Sequence, residues 1–480
     1  MNRFEQSLKK TKEVGYVQEV VLSIARVEGL PGVRLGEVVV GESGGEGQVA
    51  SIGKETVEVL WFSRGGLRVG MKMARTGEAL TVAVDEMVLG QSLDGLGRWM
   101  TGDESRARFR YKVDVVPPGL RSRARVARSL MSGVSLVDLL VPIGRGQREL
   151  IMGDRKTGKS QIVWQTILTQ AKEGTICVYA AIGLKKLEIK KLEEKAESEG
   201  VKDRMVVVAA ASQQAPGEIF MTPYTAMTVA EYFRDCGRDV LLILDDMSTH
   251  ARFYRELSLL ARKFPGRDSY PGDIFHVHSK LLERAGNFKV GNREASITAL
   301  PIIETVQGDM TGYIQTNLMS MTDGHIYFDA DAFFTGRRPA IDPFVSVTRV
   351  GYQTRNALHR SVNRELMAVL SAYEKTQGYL RFGVELGEAS RQILVLGEKV
   401  WQFFDQPHIS SIDGDLQLVM VAMIWAGLWN GRGVGRYVEW WQKTPGAKEL
   451  VTEAARSETF SALVAKVREK SDLMVIKEAG

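Results

Sequence analysis

The chain has only two cysteines, Cys177 and Cys236, in 480 residues. So few thiols exclude a disulfide framework and a thiolate zinc site. They fit a reducing compartment, in which each thiol is expected to be a buried hydrophobe. Charge of one sign is scarce as well: 63 Lys and Arg against 58 Asp and Glu leave a net +5, too weak to imply nucleic-acid binding by itself. Long hydrophobic runs are missing. The most apolar stretch, Leu416 to Trp429, covers about fourteen residues and is interrupted by Gln417, whereas a spanning helix needs roughly 20. It reads as a buried core helix of a soluble chain. The opening MNRFEQSLKKTKEVG has no apolar core of the kind a signal peptide carries and reads as a short charged helix. There is no internal repeat and no low-complexity tract. What is present is an ordinary globular composition, 44% hydrophobic and 25% charged, on a chain too long for one compact core.

Three kinds of pattern follow one another. From Val14 to about Arg75, short apolar runs are broken by glycines, and stretches such as Val57-Glu58-Val59-Leu60 alternate. That pattern predicts a small β-barrel or sandwich. The middle carries unbroken apolar runs at 150–152, 175–183, 204–212 and 240–246, separated by helical stretches. One of these places Val163, Trp164, Ile167 and Leu168 at i,i+4 spacing with Gly174 as a stop; another, 185–200, is heavily charged. Strand-helix repetition with apolar strands means a parallel sheet covered by helices on both faces. After about Tyr352 the strand signal disappears and helices remain. The expected multi-domain α/β architecture is an N-terminal β-barrel over 1–78, a central parallel-sheet domain over 79–354 and a C-terminal helical bundle over 355–480.

The strongest motif is Gly153-Asp154-Arg155-Lys156-Thr157-Gly158-Lys159-Ser160, followed by Gln161, which fits G-x-x-x-x-G-K-[ST] between an apolar strand and a helix. Such glycines let backbone N–H groups turn inward around phosphate oxygens, and the helix N-terminus adds partial positive charge. Lys159 is expected on the β/γ-phosphates of ATP or ADP and Ser160 on Mg²⁺. Asp245, at the tip of the run Val240 to Leu244, is the expected carboxylate partner of Mg²⁺; Asp246 is expected to cap the next helix. The basic stretch Arg106, Arg108, Arg110, Lys112, Arg121, Arg123, Arg125 and Arg128 reads as a solvated edge strand or a subunit contact rather than a nucleic-acid surface.

Several long blocks, VPIGRGQRELIMGDRKTGKSQI, PGRDSYPGDIFHVHSKLLERAG, ALPIIETVQGDMTGYIQTNLMSMTDGHI and GRRPAIDPFVSVTRVG, resemble the alpha subunits of F-type ATP synthases, and VGYVQEVVLSIARVEGLPGVRLGEVV is similar to that family's barrel. The resemblance runs from about Val14 to the C-terminus. It implies a RecA-like P-loop core in an alternating alpha/beta hexameric head, turned by a gamma central stalk and coupled to a proton-conducting sector. The head would be a peripheral, soluble body on the cytoplasmic face of the cell membrane. The chain would meet the membrane only through the complex, and would bind no nucleic acid.

Catalytic beta subunits of that family carry a water-orienting Glu on the strand after the phosphate loop, and alpha subunits carry Gln there. In this chain the position after Tyr179-Ala180-Ala181-Ile182-Gly183 is Leu184, which offers neither lone pair nor proton. The resemblance therefore implies nucleotide binding without efficient hydrolysis. Leu184 departs even from the alpha pattern, as does Lys156 where alpha subunits usually carry Gln. Arg349 matches the family's arginine finger, which stabilises γ-phosphoryl transfer at the neighbouring beta site, and Ser346 lies in the same block. Gln406 and His408 fall where alpha subunits line the adenine pocket. About thirteen residues precede the barrel, where these alpha subunits have a longer arm for the delta/peripheral stalk. Two other classes stand against this reading: a catalytic export-motor ATPase, which needs a Glu in place of Leu184, and a Rho-like RNA translocase, which lacks the C-terminal bundle.

Overall fold

The computed structural model describes residues 2–100, 106–381, 387–406, 411–429, 431 and 433–474. The chain divides into two compact units. The first comprises Met1–Arg125, Gly174–Glu304 and Asp309–Thr322; the second comprises Val126–Glu173, Thr305–Gly308 and Asp323–Gly480.

The first unit opens with a helix, Arg3–Thr11, whose Asn2 and Glu5 form a reciprocal capping box and whose last turn carries Lys9 and Lys10. Six strands follow: β1 Val14–Val21, β2 Ile24–Glu28, β3 Glu37–Gly41, β4 Glu46–Ile52, β5 Thr56–Trp61 and β6 Lys72–Ala79. They close into an antiparallel barrel in the order β1-β2-β5-β4-β3-β6. Alternate valines supply its filling: Val17, Val27, Val39, Val49 and Val59 pack with Trp61, Met71 and Met73. Register shifts in β1 and β4 provide the extra bend that closure requires.

Beyond the barrel, this unit holds parallel strands in the order Arg293–Glu304, Val240–Asp245, Ile176–Leu184, Met205–Ala211 and Ser92–Asp94. Val240 to Leu244 and Met205 to Ala211 are buried throughout, as strands covered on both faces should be. Helices Lys186–Ser198, Pro216–Asp235, Met247–Leu260 and Ile274–Leu282 accompany them. Strand Arg293–Glu304 also forms a hairpin with Gly286–Val290. The arginine-rich segment contributes Phe109–Lys112, a largely exposed strand paired with Thr81–Val84.

In the second unit, strand Glu149–Gly153 pairs in parallel with Gly324–Phe328, against which Val347–Thr348 runs antiparallel. The helical region comprises Ala357–Arg381, Glu388–Phe404, Gly414–Ala426, Val434–Lys443, Ala447–Ala455, Phe460–Glu469 and a short Ser471–Met474. Gly414–Ala426 is the expected core helix: it is capped by Asp413, and every residue from Leu416 to Ile424 is buried. Gln417, the polar interruption, donates to Asp138 Oδ2 and to the Ile412 carbonyl, 3.0 Å each. Among the described residues no helix is long and apolar enough to cross a membrane.

One expectation fails. Cys177 is buried, but Cys236 is exposed. It caps the C-terminus of Pro216–Asp235, just past the stretch in which that helix is enclosed.

Candidate nucleotide-binding site

The phosphate-loop motif forms the turn its glycines predict. Strand Glu149–Gly153 is buried along its whole length. At Gly153 φ is +154°, and a Cβ there would lie 2.6 Å from the Phe328 carbonyl oxygen, so only glycine fits. Gly158, at φ +97°, hands the chain into helix Lys159–Lys172. That helix has no side-chain N-cap, so its first N–H groups remain available to an anion. Lys156 also sits in the left-handed region, at φ +63°, a conformation that costs a non-glycine residue on the order of 1 kcal/mol.

Contacts within the second unit hold this loop in shape. The Thr157 hydroxyl donates to the Asp154 carbonyl at 2.8 Å. The Asp154 carboxylate accepts from the Thr305 hydroxyl and from the Gly308 N–H, the latter at 3.0 Å. The Lys159 ammonium is folded into the turn, donating to the Gly153 and Asp154 carbonyls at 2.6 Å each, and is only 8% exposed. A phosphate oxygen, being anionic, is a stronger partner for that ammonium than a neutral carbonyl. Arg155, Lys156 and Ser160 are exposed.

A cleft with about 420 Å³ of empty space, partly open to solvent, runs from the loop along the first turns of the helix. Its walls are Thr157, Gly158, Gln161, Ile162 and Gln165 on one side, with Val134, Phe328, Arg338, Pro339, Ala340 and Gln406 completing it. Gln406 is therefore at the site, but its amide is engaged: Oε1 accepts from the Ser135 N–H at 3.0 Å and Nε2 donates to the Gly133 carbonyl at 2.6 Å. Arg338 stacks on the Phe333 ring at 3.6 Å and donates to the Phe333 carbonyl at 2.7 Å. His408 lies outside the described residues. Arg338, Pro339 and Gln165 were missed by motif reading. The one local signal was the spacing of Gln161 and Gln165, which share a helix face with the loop.

In the first unit, Asp245 ends its strand half-buried, and its Oδ2 accepts a 2.5 Å hydrogen bond from the Tyr179 hydroxyl. Burial and the neighbouring carboxylate hold that phenol well above its ordinary range, so it remains a donor. Asp246 is the helix cap it was expected to be, accepting from the Thr249 N–H. Burial raises its pKa. Strand Ile176–Leu184 ends at Gly183 and Leu184, where the Leu184 carbonyl accepts from the Ser212 N–H at 2.9 Å. The leucine side chain brings no ionisable group to this strand end. Among the described residues no group of three or more His, Cys, Asp or Glu is arranged to hold a metal.

Arg349, back in the second unit, is exposed on a rigid mounting. Its N–H donates to the Asp323 carbonyl at 2.9 Å. Arg148 in turn holds the Asp323 carboxylate with paired guanidinium bonds of 3.1 and 2.8 Å. The preceding Thr348 donates to the Pro142 carbonyl and accepts from Gln147 Nε2, 3.0 Å each. Gln147 also bonds Glu149 Oε2, while Glu149 Oε1 is buried without a partner. Burial drives the Glu149 pKa well above the ordinary carboxylate range, favouring the protonated acid. Ser346 donates to the Asp342 carbonyl at 2.6 Å and accepts from the Tyr327 N–H at 3.0 Å, which ties down the segment leading to Arg349.

A barrel, a parallel sheet with a formed phosphate loop and a helical region define a P-loop nucleotide-binding protein. The nucleotide-binding domain of the ATP synthase alpha/beta family matches residues 133–348. An "ATP synthase subunit alpha 2" of Nitrosospira multiformis is 39% identical over 424 residues, covering 87% of this chain and 82% of that protein. The "ATP synthase subunit alpha" of Rickettsia bellii is 37% identical over 425 residues, 86% of this chain and 83% of its own length. An "ATP synthase subunit alpha 2" of Polaromonas naphthalenivorans is 38% identical over 447 residues, 92% and 84% respectively. The chain belongs to the ATP synthase alpha/beta family, among its alpha subunits.

Proposed function

We propose that this chain is the non-catalytic, nucleotide-binding alpha subunit of a proton-translocating F-type ATP synthase. It alternates with beta subunits in the head around the gamma stalk, with the delta/peripheral stalk outside, on the cytoplasmic face of the membrane. The observation that carries the reading is the formed phosphate loop, with Lys159 poised inside it and a cleft alongside.

The loop from Gly153 to Gly158 and the uncapped helix start would bind the phosphates of ATP or ADP through backbone N–H groups. Lys159 would exchange its carbonyl partners for phosphate oxygens. Arg155 and Lys156 add positive charge at the rim, and Gln161 with Gln406 belongs to the wall that receives the rest of the nucleotide. Ser160 suits a magnesium ion: its hydroxyl is exposed on the helix start and makes no hydrogen bond within the described residues. Ser160 would be an oxygen donor to Mg²⁺, which when bound offsets phosphate charge, and Asp245 remains the candidate carboxylate on its sequence position. Leu184 leaves water unoriented, so nucleotide would stay bound and unhydrolysed.

Arg349 has a different task. Fixed by Asp323, Thr348 and Ser346, its exposed guanidinium would reach the γ-phosphate at the adjacent beta site. There it would stabilise charge as the phosphoryl group transfers.

The direct test is calorimetric titration of the full chain with Mg-ATP. Lys159→Ala should weaken binding about a hundredfold, the scale of losing a charge-assisted contact to phosphate. Equal affinity in the two proteins would reject the phosphate-loop reading.

A further inference from the structure

From the nucleotide-binding reading above and the geometry of its cleft, we infer that Gln165 is the residue that reads the base edge of the nucleotide and selects adenine over guanine. Among the polar side chains on the cleft wall, Gln406 has both ends of its amide bonded to backbone, and the Thr157 hydroxyl donates within the loop. Gln165 is different. It lines the cleft and is only 5% exposed, yet its amide makes no hydrogen bond among the described residues; the one side chain that bonds it, the Thr169 hydroxyl, does so at its backbone carbonyl. That amide is left to the cleft, where a ligand that supplies both a donor and an acceptor would pair it.

Position specifies that ligand. Gly158, Gln161, Ile162 and Gln165 recur at helical spacing, so one face of the Lys159–Lys172 helix leads from the loop to Gln165. Seven residues at the α-helical rise place Gln165 about 10 Å along the axis from the turn that takes the phosphates. A nucleoside anchored there by its phosphates extends along this face. The amide presents an N–H donor and a carbonyl acceptor side by side, the complement of the adenine N6 amino and N7 pair. Guanine offers two acceptors on the same edge, so one amide atom would face a like partner. Phe328, Pro339 and Ala340 supply apolar surface for the ring faces.

The experiment titrates the full chain with Mg-ATP, Mg-GTP and Mg-tripolyphosphate, which carries no base. Gln165→Met keeps the side chain's length while removing both hydrogen-bonding atoms; Gln165→Leu repeats the test with a different shape. Wild type should prefer ATP over GTP. Both variants should lose about tenfold in ATP affinity, the scale of a bidentate amide–base contact, and should bind tripolyphosphate as wild type does. Unchanged ATP binding, or an equal loss for ATP and tripolyphosphate, would overturn the role of Gln165. If wild type and Lys159→Ala bind tripolyphosphate equally, the phosphate-loop reading itself falls, and this inference with it.

Discussion

The two compact units end their strands in different chemistry. In the second, Glu149–Gly153 runs into a loop of inward-turning N–H groups, a folded-in lysine and an uncapped helix. In the first, Ile176–Leu184 runs into a glycine and a leucine, and the acidic group nearby, Asp245, is already partnered by Tyr179. Both are ends of parallel strands, the place where α/β folds put ligands. Only one is equipped for an anion, and the leucine at the other offers neither lone pair nor proton. The binding and the lack of turnover proposed for the chain thus rest on different side chains.

Each unit also buries ionisable groups whose neutral form burial favours. The first encloses His250 and His278, fully buried and 3.2 Å apart, with the other His250 ring nitrogen on the Phe220 carbonyl. The Phe220, Tyr224 and Tyr254 rings surround His250 or stack beside it. Burial lowers the pKa of His250 to about 4 and that of His278 well below the usual range. The second unit encloses Glu149, shifted upward. Burial favours the neutral form in both units, since the first also raises Glu218 to about 7 and the second lowers His359 to about 4.

The largest effect expected concerns Arg349. In complexes reconstituted with beta subunits, Arg349→Ala should leave assembly and nucleotide content intact while turnover falls by about 10³–10⁵, the worth of an in-trans arginine in phosphoryl transfer. Lysine should rescue little, because a point ammonium lacks the planar forked donors. Near wild-type turnover at matched assembly would reduce Arg349 to a surface residue.

Acid should act next most strongly, in part through the buried histidine pair of the first unit. Both histidines are depressed below the unfolded value of about 6.5. Above that value both states are neutral and stability is unaffected. As pH falls towards 4 the unfolded chain takes up protons that the fold refuses, costing about 1 kcal/mol per histidine per pH unit. Denaturant midpoints between pH 7 and 5 should fall less steeply in a His250→Phe/His278→Leu double variant, and an unchanged slope would show that the pair does not carry the effect.

The smallest change is expected at Glu149. With its folded pKa raised, its contribution is fully present below the unfolded carboxylate pKa and is lost as pH rises through the folded value. Glu149→Gln keeps an acceptor for Gln147 and removes the ionisation. It should shift stability at pH 8 by less than about 1 kcal/mol, in the stabilising direction. A marked loss at pH 8 would mean that the charged form is the one the fold uses.

How much of this was written locally follows from how each feature is built. The phosphate loop is a contiguous run whose glycines and lysine act through their own backbone, so its place between strand and helix was readable. The valine alternation likewise announced the barrel, and Gly174 the end of the helix after the loop. Strand Arg293–Glu304 escaped because Arg293 and Glu294 begin it with exposed charges and Pro301 interrupts its apolar run. The cleft walls were hidden for another reason. Phe328, Arg338 and Gln406 come from segments far apart in sequence, and only folding collects them. Glu149, just before the apolar run at 150–152, carries no local sign of burial; its packing against Gln147 depends on Thr348, two hundred residues away. Cys236 was misjudged because residue type predicts burial only on average, whereas its position just past a helix end decides it.

Separation of binding from turnover is tested most directly by following the fate of ATP on the purified full chain. Mg-ATP carrying a labelled γ-phosphate is incubated with protein free of beta subunits, and the bound nucleotide is released by acid quench and resolved. The account predicts retention of nucleotide as intact ATP, with no steady release of phosphate and no retention by Lys159→Ala. Multiple-turnover phosphate release by the wild-type chain, abolished in Lys159→Ala, would contradict it, because a chain with Leu184 in place of a water-orienting carboxylate would then be catalysing hydrolysis.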